Sequence, residues 1–338
     1  MAAPTSRPPL YPLRFEPIFK NNLWGGQRLP AFLNRTHASE SPIGEAWVLS
    51  DVDGSGSRIS NGPLAGTTFR DLLTMDSERI LGMARLSNGR FPLLLKFIDA
   101  RQELSVQVHP NDEQAAAKHP NALGKTEAWV ILEANPATSR IYSGFQPGMT
   151  AARFQEALAA KTAPATLHSF TPQPGDCVFL EAGTVHAIGT DILLFEVQQT
   201  SDITYRLYDW DRVDANTGLP REMHVADGLA VANFSSGPCP PVGPSIIEEA
   251  GLRRERLIDC RYFTLDRISS DRRFTVGAPG QCRMLIVLET HGPCGIEWNG
   301  NADALTRGEV ILIPAEVGPC SVTPVGTMTV LECGLPPP

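Results

Sequence analysis

The segment LSVQVHPNDE, residues 104–113, alternates apolar and polar side chains and then meets a proline. Side chains on a strand point alternately to opposite faces, so Gln107 and His109 share one face while Val106 and Val108 occupy the other. An amide and an imidazole on one face form either a polar rim or half of a metal site. Two more residues with ligand chemistry occupy comparable places: Glu127 opens the apolar run EAWVIL, and His186 lies in EAGTVHAIG, each beside a glycine-containing turn. Two imidazoles, a carboxylate and an amide oxygen suit Zn²⁺ or a similar divalent ion. With three protein ligands in a concave site, one position stays open for water or substrate, as in catalytic zinc centres. The separations are long, 18 residues from His109 to Glu127 and 59 more to His186. No local motif gathers these side chains; the fold must.

The elements available to do so are short strands. Runs such as EAWVLS, FPLLLKFI, LSVQVH, EAWVIL, CVFLEA, ILLFEVQQ, RMLIVLE and EVILIPA lie between glycines and prolines, of which there are 29 each. Many strand-length runs bounded by turn residues indicate a mainly β fold of sandwich or barrel type. Two helical patches, TTFRDLLTMDSERIL and TAARFQEALAAK, begin with threonine at an N-cap position and space their apolar residues by three or four. SSGPCPPVGPS, residues 235–245, has the composition of a linker. The expected division is a catalytic domain over 1–234, a linker over 235–249 and a smaller all-β lobe over 250–338. A faint repeat supports a second lobe of the same type: GDCVFLEAGTVH from Gly175 and GEVILIPAEVGP from Gly308 match in pattern, with Pro319 where the first copy has His186. Proline cannot bind a metal, so the second lobe is expected to be metal-free.

Composition excludes several classes. Apolar content of 42% and charged content of 20% are those of an ordinary soluble domain. A net charge of -8 argues against a general nucleic-acid or acidic-membrane surface, although a local cluster of Lys and Arg could still hold a small anion. Seven cysteines, an odd number with no C-x-x-C pair, point away from a disulfide framework and towards a reducing cytosol. MAAPTSRPPLYPLRF has no apolar core of signal-peptide length, and the longest apolar runs are far short of a membrane span. No protein partner is evident.

The spacing Gly175-x5-Glu181-x-Gly183-x2-His186 resembles the second cupin motif, with Glu181 where proline is usual. FKNNLWGG, GEAWVLS, LLLKFIDARQELSVQVHPND, GKTEAWVIL, FLEAGTVHAIG and EVQQTSDITYRLYDWDR occur in that order. Together they resemble the type I mannose-6-phosphate isomerase family in its short bacterial form, over about residues 12–230. The resemblance implies two cupin-type β-barrel lobes with a few peripheral helices. It implies one zinc ion per chain on Gln107, His109, Glu127 and His186, and a sugar phosphate as substrate. It further implies catalytic roles for Lys125, Arg206, Glu196 and Asp202, the last in ring opening, and places Ser105 and Lys96 near the phosphate. Longer members often carry histidine before the catalytic lysine; here that residue is Gly124.

The implied chemistry is aldose–ketose isomerisation. A cation near O1 and O2 makes the neighbouring C–H acidic by stabilising an enediolate. Lys125 or Glu196 would carry the proton between carbons, and Arg206 would face the developing negative charge. Trp24 is expected in the core or a lid. Two rivals share the ligand set: an Fe(II)-dependent cupin oxygenase, and a non-catalytic sugar-phosphate-binding protein.

Overall fold

The computed structural model describes residues 9–36, 41–214, 217–248 and 251–336. Short antiparallel strands dominate it and helices are few, as the turn-bounded apolar runs require. Two compact units emerge. One comprises Pro17–Ser57 and Ser87–Gly243; the other comprises residues up to Glu16, Arg58–Leu86 and those from Pro244 onward. The chain passes from one to the other at 243–244, within the segment expected as a linker. The expected 1–234 domain differs in membership, because residues up to Glu16 and Arg58–Leu86 fold with the C-terminal strands. Pairing across long sequence separations is the cause: Leu13–Arg14 adds to the strand Val310–Ile313, and the helix Phe69–Leu81 is tied by the Arg79–Glu316 ion pair and by Ala315 N–H donating to Ile80 C=O at 2.8 Å. Residue 250, the expected start of the second lobe, lies outside the described residues.

The C-terminal unit carries the second copy of the repeat. Gly175 and Gly308 both take left-handed backbone, φ 91° and 85°. Each precedes a four-residue strand, Cys177–Leu180 or Val310–Ile313, and after a turn His186 opens one following strand while Pro319 precedes the other, Cys320–Thr323. The glutamate that replaces the cupin proline, Glu181, is exposed and accepts from Thr184 N–H at 3.0 Å, so the turn closes without it.

The site-bearing unit contains a six-stranded and a five-stranded antiparallel sheet. The six-stranded sheet runs in the order Cys177–Leu180, Glu127–Ala134, Ile192–Gln199, Leu93–Ala100, Ile18–Gly26, Ile43–Leu49. The five-stranded sheet runs Leu167–Phe170, Ile141–Phe145, His186–Ile188, Val106–Val108, Tyr205–Tyr208. One apolar cluster joins the sheets through Trp24, Ile98, Trp129, Ile131, Ile141, Val178, Ile188 and Leu194. A second packs Val106, Val108, Ala187 and Leu207 against Phe154 of the helix Ala151–Ala159 and Val231 of the helix Val225–Val231. The two valines therefore anchor the strand from behind, each side chain contributing about 1.5–3 kcal/mol on full burial. A slip of one residue would exchange them for Gln107.

After His109 the chain turns into the helix Asp112–Lys118, whose Asn111 and Gln114 form a reciprocal capping box. Gly124 lies against this helix start. A Cβ there would sit 2.5 Å from Asp112 N and 2.6 Å from Asn111 C, so neither alanine nor histidine fits without moving backbone. The same contact is sewn by Gly124 N–H to Asp112 Oδ1 at 2.9 Å and Lys125 N–H to Pro110 C=O at 3.0 Å. Gly124→Ala is expected to cost about 1–3 kcal/mol in chemical denaturation, as overpacking does. It should also lower activity by displacing Lys125, and a variant of unchanged stability and activity would show that the contact is dispensable.

Candidate metal centre

Strand register sets a row of side chains across the five-stranded sheet. Gln107 lies directly opposite His186 on one side and Arg206 on the other. Directly paired residues project from the same face, so all three look into the unit. Glu127 opens its strand in the six-stranded sheet, opposite Leu180 and Gln198. His109 stands one residue beyond its strand, where Pro110 ends the pairing.

The two imidazoles are oriented by backbone carbonyls: His109 Nδ1–H donates to Ile203 C=O at 2.8 Å and His186 Nδ1–H to Thr184 C=O at 2.9 Å. That tautomer leaves both Nε2 lone pairs facing Glu127, at 3.6 Å and 3.2 Å from its oxygens. The donor atoms of His109, Glu127 and His186 all lie within 4.8 Å of one another. The Gln107 amide completes the group 3.3 Å from His186 Nε2, and a half-turn of the amide presents its oxygen there. Ligands at about 2.0–2.2 Å from one ion stand about 3.0–3.6 Å apart, so the spacing fits a metal ion.

Electrostatics agree. His109, Glu127 and His186 are 2%, 1% and 1% exposed, and neither Glu127 oxygen has a hydrogen bond of good geometry. A buried carboxylate in that state requires a cation. The Lys125 ammonium, 2.7 Å from Glu127 and 3.1 Å from His109 Nε2, shows that the donors attract one. Burial, then the Lys125 charge, holds the His109 imidazole well below its ordinary pKa, and burial brings His186 down to about 4. Both are neutral, metal-ready ligands at pH 7.

In front of this group lies a cavity of about 300 Å³, walled by Lys96, Ser105, Gln107, Lys125, Glu196, Asp202 and Arg206 among others. The structure thus brings together all ten residues singled out in the sequence. Lys96 pairs with Glu45 and Glu196, both at 3.4 Å, and Lys125 is 3.6 Å from Glu196. Burial opposes the Lys96 charge, but Glu196 and Glu45 outweigh it and raise its pKa. Burial pushes the Glu196 carboxyl up to about 7 despite the opposing lysines. Ser105 Oγ–H donates to Gln107 Oε1 at 3.2 Å. Trp24 is buried in the core and forms part of the wall.

Sequence reasoning missed Glu45, Arg221 and His224, which also line the cavity. One signal was available for Glu45: Glu45-Ala46-Trp47 repeats Glu127-Ala128-Trp129. Burial would raise the Glu45 carboxyl, but Lys96 and the Trp47 indole N–H at 2.6 Å hold it low.

A cupin-like β fold with a buried His–Glu–His group defines the class. Residues 13–128 match the family described as phosphomannose isomerase type I, catalytic domain. The chain is 38% identical to the mannose-6-phosphate isomerase ManA of Bacillus subtilis over 264 residues, 76% of this chain and 78% of that one. It is 31% identical to the mannose-6-phosphate isomerase of Streptococcus mutans over 313 residues, 90% and 92% of the two chains. The crystal structure of the mannose 6-phosphate isomerase from Bacillus subtilis matches with a TM-score of 0.86 at 28% identity, covering 95% of this chain and 99% of that one. This chain belongs to the type I phosphomannose isomerase family.

Because both imidazoles are held neutral, metal-stripped protein should bind a divalent ion with near-constant affinity from about pH 8 to about 6. Affinity should fall only as the pH approaches about 4, where His186 gains a proton. Titration calorimetry across that range checks this; a midpoint near the ordinary histidine value of about 6.5 would contradict it.

Proposed function

We propose that the chain interconverts mannose 6-phosphate and fructose 6-phosphate, with one zinc ion on Gln107, His109, Glu127 and His186. The observation that carries this is the row Arg206–Gln107–His186 with Glu127 against His186, behind a cavity whose wall holds Lys125 and Glu196. Bound there, zinc would act as a redox-silent Lewis acid for negative charge on O1 and O2.

The chain's own groups then handle protons. Lys125 would act from its neutral amine form, taking the proton from C2 to become the ammonium and returning it to C1. Glu196 receives the O2 hydroxyl proton and supplies one to O1, a task matched to a carboxyl pushed up to about 7. The net change moves one proton between carbons and one between oxygens, with nothing oxidised overall. Arg206, directly opposite Gln107, faces the negative charge that develops. Asp202, exposed at the cavity wall, takes the anomeric hydroxyl proton and returns it to O5 as the C1–O5 bond breaks and the ring opens. With the Gln107 amide turned, Ser105 Oγ accepts from its N–H instead of donating to its oxygen, and Lys96 keeps Glu45 and Glu196 in place.

The test is a coupled isomerase assay on purified protein, before and after chelation. Activity on mannose 6-phosphate should vanish on stripping and return with zinc, without oxygen uptake; uptake of oxygen would instead favour an iron oxygenase. Lys125→Met should keep its zinc and lose about two to four orders of magnitude in turnover. Arg206→Ala should lose about 10²–10³. His109→Ala should lose metal and activity together. If Lys125→Met turned over near the wild-type rate, Glu196 would be the base.

A further inference from the structure

The cavity has two ends of opposite electrostatic character. At the metal end, Lys96 and Lys125 face the carboxylates of Glu45, Glu127 and Glu196, so the lysine charge is fully offset. Asp202 adds a further carboxylate acting on Lys96. Both lysines are therefore committed to carboxylates there, and the charge that a bound ion would add is directed at the carbonyl end of the substrate.

Cations accumulate instead on the strand Tyr205–Tyr208 and the chain that follows it. Asp209 is 4% exposed and accepts from Arg212 Nη2 at 2.6 Å and from Arg221 Nε at 2.8 Å, with a second, shorter bond to Arg221 Nη2. Arg206 stands within the same field: burial, then Arg221, lowers its pKa. Three guanidiniums thus share one buried carboxylate. The other carboxylate acting on Arg206, Glu222, has an 85% exposed side chain. Three buried guanidinium nitrogens, Arg206 Nε and Arg212 Nε and Nη1, have no hydrogen-bond partner among the described residues. Buried N–H donors in this state call for acceptors, which a phosphoryl group supplies. Arg206 and Arg221 carry this positive region into the cavity wall, with the His224 imidazole beside them.

We propose that Arg221, held in place by Asp209, is the residue that reads the phosphoryl group, and that the sugar phosphate lies with its phosphate at Arg221 and His224 and its carbonyl end at Arg206 and the metal ligands. The assignment rests on the isomerase function above, and it gives the phosphate to the arginine end instead of to Lys96. Asp209 is a positioning residue: it takes both Nε–H and Nη2–H of Arg221, which fixes the guanidinium plane and leaves Nη1 for the ligand. Because the phosphate is unchanged through the reaction, this contact acts equally on ground and transition states and appears in KM.

The experiment compares wild type, Arg221→Gln and Arg221→Lys as zinc-loaded full-length protein. Arg221→Gln should raise KM for mannose 6-phosphate about 10- to 100-fold, with kcat within about threefold. Zinc content should not change. Inorganic phosphate should inhibit the wild type competitively and lose potency in the variant by a similar factor, and Arg221→Lys should recover part of both. Asp209→Asn should reproduce the rise in KM, with Asp209→Glu recovering part; if Asp209→Asn does not fold, the Arg221 pair decides alone. A KM and a phosphate inhibition constant both within twofold of wild type in Arg221→Gln would overturn the proposal. So would phosphate inhibition that depends on Arg221 while KM does not, since that marks an anion site outside the substrate's. If the wild type had no isomerase activity, calorimetric binding of mannose 6-phosphate over mannose, weakened by Arg221→Gln, would sustain the phosphate site while the isomerase function failed.

Discussion

The site depends on the burial of the Glu127 carboxylate. It is 1% exposed and has no well-directed hydrogen bond among the described residues, so its desolvation must be offset by positive charge beside it. Lys125 supplies some of that charge, and two neutral imidazoles supply lone pairs that would repel the carboxylate unless a cation stood between them. The same burial that makes Glu127 demanding holds His109 and His186 neutral and pushes Glu196 up to about 7. One physical condition, low polarity behind a small polar cavity, therefore acts on the candidate ligands and on Glu196 together.

Such a site is stable only because its frame is rigid. Gln107 cannot turn away without bringing Val106 and Val108 out of the cluster formed with Phe154 and Val231. His109 and Lys125 are linked through the helix start at Asn111–Asp112, against which Gly124 packs with no space for a Cβ. The histidine that precedes the lysine in longer family members has no room here.

The repeat shows how a strand-and-turn unit can persist without its ligand. Gly175 and Gly308 adopt the same left-handed backbone and launch equivalent strands. In the first copy His186 follows; in the second Pro319 does, and the surrounding strands bury Ile311, Ile313, Val322 and Val330. The C-terminal copy thus conserves packing, while ligand chemistry is concentrated in the unit that holds Glu127.

The sequence by itself determined the strands and the four candidate ligands. Alternation with a period of two fixed the faces of Gln107 and Val106, and glycine and proline fixed where strands stop. These are local properties of the backbone. Only the tertiary structure decided which residues join them. Glu45 reaches Lys96 because their strands are neighbours in the sheet, and Arg221 reaches the cavity because Asp209, twelve residues earlier, clasps it. Residues Arg58–Leu86 left the expected domain for the same reason, through partners more than 200 positions away. Charge balance is equally non-local: Lys96 and Arg221 are both single cations in the sequence, and only their neighbours in space make one neutralised and the other able to bind an anion.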